Sequence, residues 1–208
     1  MKKIILISLL LAYAVFSLLY FMPIDIPHKI AIPMTILAIG ACFARNPLLV
    51  GACIFSALGD YSDFVPKMCF FAGAQVFYIL LFVRIKTHPQ RRNWFLDAFF
   101  MLAWLAVLFF FLRWVDVQVL RWGVAAYSGL LILMCRMACA SGCIWSVVGG
   151  LLFLVSDSVL GISHFVWRLP YSNLLVMIPY YLGQLLLFVG FLKQSSTIVN
   201  LWHIHKSA

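Results

Sequence analysis

Two carboxylates lie inside apolar sequence, Asp60 in SALGDYSDF and Asp157 in LLFLVSDSVL, and they are the residues of this chain best suited to chemistry. A carboxylate at bilayer depth costs ~3 kcal/mol or more, so it persists where it faces a polar cavity and has chemical or transport work. Two carboxyls suit acid/base catalysis: one donates a proton while the other, ionised, stabilises a cation and activates water. Other chemistries lack their parts. The sequence contains no G-x-S-x-G elbow and no glycine-rich phosphate loop. Cys135, Cys139 and Cys143 form no C-x-x-C, and the five histidines are scattered, so neither a metal nor another cofactor is expected.

The elements that position these residues follow from composition. Of 208 residues, 65% are hydrophobic and 10% charged, with a mean hydropathy of +1.07; a soluble domain carries roughly 25% charged residues. An all-α, polytopic membrane bundle is therefore expected. Charges, prolines and polar clusters cut the chain into pieces near the ~20 residues that cross a bilayer. They predict about eight transmembrane helices, near 4–22, 30–44, 47–62, 67–85, 94–113, 117–135, 140–163 and 172–194, in a single transmembrane domain over 1–208. The first run, Ile4 to Met22 after Lys2 and Lys3, exceeds the roughly 7–15 residues of a signal-peptide core and is read as a span.

The +9 formal charge is read as a topology signal, with no nucleic-acid partner implied. Of the fifteen Lys and Arg, only Lys29, Lys67, Arg113, Arg121 and Arg168 fall on the side opposite the termini. The positive-inside rule then predicts both termini cytoplasmic. The short loops and the Lys-Lys start favour a bacterial inner membrane. In that orientation Asp60 and Asp157 lie ~3 Å and ~9 Å inside their helix ends, in the outer leaflet half, where they could share one chamber.

Other polar residues converge on that layer: Gln75 and Tyr78 of the fourth helix, Tyr180, Tyr181 and Gln184 of the eighth, and Lys29 at the mouth of the second. Ser56, Asp60 and Asp63 are spaced to line one helix face, as are Asp157, Gly161 and His164. Gly149 and Gly150, about two turns before Asp157, would admit a close helix neighbour.

The stretch GGLLFLVSDSVLGISHFVWRLPYSNLLVMIPYYLGQLLLFVG at 149–190 resembles the C-terminal signature of the YhhN family of membrane lysoplasmalogenases, with its S-D, L-P-Y and Y-Y-L-x-Q elements. SALGDYSDF at 56–64 resembles the family's S-x-x-G-D segment, and Gln75-Val76-Phe77-Tyr78 its H-x-x-Y element. Two departures stand out: Gln75 replaces the family histidine, and Ile32 rather than lysine precedes Pro33, leaving Lys29 a turn earlier as the nearest cation.

The resemblance implies hydrolysis of the vinyl ether bond of a lysoplasmalogen, a lysophospholipid drawn from the membrane, to a fatty aldehyde and a glycerophospho-alcohol. Asp157, the deeper carboxyl, is then expected to be the acid and Asp60 the base. Ser56, Ser156, Tyr180, Tyr181 and Gln184 would orient carboxyls or substrate, and Lys29 or Arg168 would hold the phosphate. Two other readings stay open. Membrane aspartates also serve proton- or cation-coupled transporters, although no inverted repeat is visible here. They also serve intramembrane aspartyl proteases, although Ala57-Leu58-Gly59-Asp60 lacks the first glycine of the protease G-x-G-D element.

Overall fold

The computed structural model describes residues 2–26, 28–85 and 93–206. Eight α-helices and no strand occur among them: α1 (Lys2–Leu19), α2 (Ile32–Phe43), α3 (Pro47–Tyr61), α4 (Phe64–Ile85), α5 (Trp94–Phe111), α6 (Gln118–Ala140), α7 (Ile144–Phe165) and α8 (Ser172–Lys206). α4 to α8 are long and apolar enough to cross a membrane, whereas α1, α2 and α3 are shorter apolar helices. With 15 residues, α3 reaches ~22 Å, less than the ~30 Å of a hydrocarbon core. Lys86, Arg91 and Arg92, which contribute to the predicted orientation, lie outside the described residues.

Local chemistry accounts for the helix boundaries. Between α2 and α3, Arg45 adopts a positive φ of 56°, the Asn46 side chain accepts from the Leu49 N–H at 3.3 Å, and Pro47 opens α3. Such a cap satisfies a backbone donor, and proline's fixed φ is already helical. Asn93 caps α5 in the same way through the Leu96 N–H. The α6–α7 boundary differs from the predicted one: α6 continues to Ala140 and α7 begins at Ile144. Gly142, at φ +70°, supplies the left-handed turn there, a conformation open to glycine without a Cβ clash. α8 also runs past its predicted end near 194, since no glycine or proline follows Gly190 to stop it.

The chain forms two compact units, Met1–Leu81 and Phe82–Ala208. In the first, α2 packs on both α1 and α3. Phenylalanine rings seat on glycines between α3 and α4: Phe77 on Gly51, Phe71 on Gly59 and Phe55 on Gly73. Phe55 and Phe77 also pack together, with centroids 5.3 Å apart.

In the second unit α7 and α8 are the most closely joined pair. A Cβ added at Gly149 would stand 2.7 Å from the Leu187 amide nitrogen and 2.9 Å from the Gly183 carbonyl oxygen. The helices thus meet backbone to backbone, as small residues permit in membranes. α5 is more peripheral and buries only Phe100 and Phe111, while Phe95, Phe99, Leu102 and Phe109 are exposed. It is tied to α6 by a 2.6 Å ion pair between Asp97 and Arg136. The Trp104 indole N–H adds bonds to the Ser128 hydroxyl, 3.3 Å, and the Ala125 carbonyl, 3.4 Å.

Candidate functional site

The first unit holds a polar cluster inside its apolar core. Ser56, Asp60, Gln75 and Tyr78 are all buried. The Ser56 and Tyr78 hydroxyls share a hydrogen bond that links α3 to α4. Asp60 is one turn from Ser56 toward the α3–α4 connection, and Gln75 is nearly one turn from Tyr78 in the same direction. Phe71 of α4 seats on Gly59, the residue before Asp60. Asp60 and Gln75 therefore both lie about one turn from the Ser56–Tyr78 bond, on its connection side.

Asp63 leaves the predicted stripe. α3 ends at Tyr61 with Ser62 as its C-cap, and Asp63 accepts the Lys67 N–H through its backbone carbonyl, starting α4. The spacing thus aligns only Ser56 and Asp60. Lys29 clips its own connector: its ammonium donates to the Met22 and Ile24 carbonyls, each at 3.2 Å, and lies 5.7 Å from the Tyr20 ring centroid. That connector reaches the end of α3, where the His28 ring stacks on Tyr61 at 4.1 Å. Lys29 is accordingly one residue along the chain from a contact adjoining Asp60.

The second unit builds its cluster around Asp157, about two turns before the end of α7 at Phe165. The Tyr127 hydroxyl of α6 donates to Asp157 Oδ2. Ser156 is buried, and its hydroxyl donates to the Val176 carbonyl of α8 at 2.9 Å. This bond lies next to the stretch where Pro179, inside α8, deprives the Leu175 carbonyl of its usual donor. Serine hydroxyls commonly support membrane helices at such breaks. Tyr180, Tyr181 and Gln184 are buried on α8, with Tyr180 against Phe153 at 5.9 Å and against Tyr181 at 5.4 Å. His164 and Arg168 are exposed beyond this layer.

Tyr127 is the functional candidate that sequence reasoning misses. A lone tyrosine in an apolar span is ordinarily a packing or interfacial residue. Its available signal is the Tyr127-Ser128 polar pair in the middle of a predicted helix, but a bond across helices leaves no periodicity in either one. Tyr13 of α1 is a second case: it is buried and close enough to act electrostatically on the Tyr78 hydroxyl.

Gln75 differs from its neighbours. Both its side-chain amide atoms are buried with no hydrogen-bond partner in the protein, an arrangement that costs ~1–3 kcal/mol per unpaired group. Ser56, Asp60 and Tyr78 each engage other residues. The first cluster thus has a carboxyl, a hydroxyl pair and an amide with donor and acceptor capacity to spare. The second has a carboxyl with one oxygen already committed.

Comparison with known proteins bears on what such clusters do. The model of the YhhN family matches residues 3–191. The human Lysoplasmalogenase TMEM86B is 33% identical over 153 residues, covering 70% of this chain and 64% of the human protein. The Mus musculus Lysoplasmalogenase TMEM86B is 32% identical with the same coverage. The chain thus matches under two thirds of the length of these relatives. No solved structure matches it.

Proposed function

The chain belongs to the YhhN family, and we propose that it is a membrane-embedded lysoplasmalogenase-like hydrolase whose acid and base are Asp157 and Asp60. The observation that carries this reading is the pairing of Asp157 with Tyr127 inside an apolar helix. An intramembrane carboxyl held by a dedicated partner has the marks of a working group. The lysoplasmalogenase relatives support a 1-alkenyl lysophospholipid as the substrate class.

The mechanism follows from what a vinyl ether needs. With Oδ2 held by Tyr127, Asp157 delivers a proton from Oδ1 to the vinyl carbon remote from the ether oxygen. The adjacent carbon becomes an oxocarbenium ion, stabilised by the ionised Asp60. Water attacks that carbon and gives its proton to Asp60, forming a hemiacetal. Breakage of the bond between this carbon and the glycerol oxygen then releases a fatty aldehyde. The glycerol oxygen leaves as a hydroxyl, taking up the hemiacetal proton; Asp60 then releases the proton it took from water and Asp157 takes one up, which restores both carboxyls. One water is consumed, and no redox partner is needed.

The test measures aldehyde release from a 1-alkenyl lysophospholipid by detergent-purified protein. Asp60→Asn and Asp157→Asn preserve shape while removing the exchangeable proton or charge. Each should lower kcat by at least ~100-fold while helical content and gel-filtration profile stay unchanged. A folded variant of either that retains the parent rate would sink the two-carboxylate mechanism. The 1-acyl and saturated 1-alkyl analogues should not be cut by this route, because neither forms the oxocarbenium ion on protonation of carbon.

A further inference from the structure

The unpartnered Gln75 amide points to a determinant of substrate choice. It is fully buried, with its oxygen and its nitrogen both lacking a partner in the protein. It lies nearly one turn from Tyr78 on the connection side of the Ser56–Tyr78 bond, the side on which Asp60 lies one turn from Ser56. The group that satisfies a primary amide in such a place must accept from its N–H and donate to its C=O. A hydroxyl does both with one oxygen.

A 1-alkenyl lysophospholipid carries one glycerol hydroxyl, on the carbon next to the one bearing the vinyl ether. The corresponding two-chain lipid has none, because that oxygen is esterified. A side chain that binds this hydroxyl must therefore lie on the same side of the site as a carboxyl that acts on the ether, and Gln75 lies with Asp60 on the connection side of the Ser56–Tyr78 bond.

We propose that the Gln75 amide binds the free glycerol hydroxyl of the substrate and thereby makes the enzyme select lysolipid over its two-chain counterpart. This rests on the hydrolase reading above. A site built to bond a substrate hydroxyl rejects the analogue without it far more strongly than an apolar pocket can, since the protein's own buried groups are left unpaired.

The experiment compares kcat/KM for a 1-alkenyl lysophospholipid with those for its 2-deoxy and 2-O-methyl analogues. The parent protein should prefer the hydroxyl-bearing lipid by at least about 100-fold. Gln75→Met, close in volume and without hydrogen-bonding capacity, should slow turnover of that lipid until the preference falls within about 3-fold. Gln75→His, which keeps one donor and one acceptor, should restore much of it. If the parent protein cuts all three lipids equally, Gln75 holds a water only and the proposal is overturned. Retention of the preference by folded Gln75→Met overturns it as well.

Failure of the hydrolase reading looks different: no aldehyde forms from any of the three. In that event displacement of a bound fluorescent lysolipid by saturated 1-alkyl lysophospholipid, with and without its hydroxyl, still reads the Gln75 interaction. Equal displacement by both would reject it.

Discussion

Glycines line both the α3–α4 seam and the α7–α8 seam, but they face different things. In the first, Gly51, Gly59 and Gly73 are each covered by an aromatic ring, so the helices stand apart and the rings fill the space. In the second, Gly149 and Gly183 face the partner helix's backbone. A ring can turn, whereas a backbone cannot move without displacing its helix. Each seam belongs to the unit that carries one aspartate. The first seam leaves buried polar groups, the unpaired Gln75 amide among them, and the second belongs to a tight frame in which Tyr127 fixes Asp157.

The sharpest way to break this contrast is Gly149→Ala. The new methyl meets the Leu187 nitrogen and the Gly183 carbonyl oxygen, neither of which can rotate away. Overpacking of this kind costs ~3 kcal/mol. A clear drop in the thermal unfolding midpoint in detergent, together with loss of activity, is expected; an unchanged midpoint would mean that the seam is looser than its contacts indicate.

Tyr127→Phe should come next in size. It removes one hydroxyl while keeping the ring, so expression and melting should hold while kcat falls about 10-fold, or ~1.4 kcal/mol, with KM little changed. A rise in KM at constant kcat would assign Tyr127 to substrate binding and not to positioning Asp157. Gly51→Ala should be mildest, at about 1 kcal/mol or less, because the Phe77 ring can yield. Thermal melting compares it directly with Gly149→Ala, and equal losses would erase the distinction between the seams.

Sequence reasoning reaches far into this fold for physical reasons that can be named. The pair Asn46-Pro47 marks the start of α3 because both residues act locally, one as a cap and one through its ring. The α6–α7 turn is harder to read, since Met137-Ala138-Cys139-Ala140-Ser141 carries no charge and its break depends on the backbone angle of Gly142. Asp60 and Asp157 announce themselves by the cost of charge in apolar sequence. Tyr127 and Tyr13 do not, because a tyrosine is cheap in either setting and only the packed helices show what its hydroxyl meets. Gln75 is visible as a polar residue, but its lack of a partner becomes evident only in three dimensions.

The thin burial of α5 has a consequence for motion. In lipid, the hydrocarbon chains solvate Phe95, Phe99 and Phe109 about as well as a neighbouring helix would, so apolar contact does little to hold this helix in place. What retains it are two polar fastenings, Asp97 to Arg136 near its start and Trp104 to Ser128 and Ala125 at its middle. Its far end is held instead by the buried Phe111 ring, which seats on Gly161 of α7. The free energy of lifting α5 is then local rather than global, and the helix behaves as a stave pinned at its start, its middle and its end.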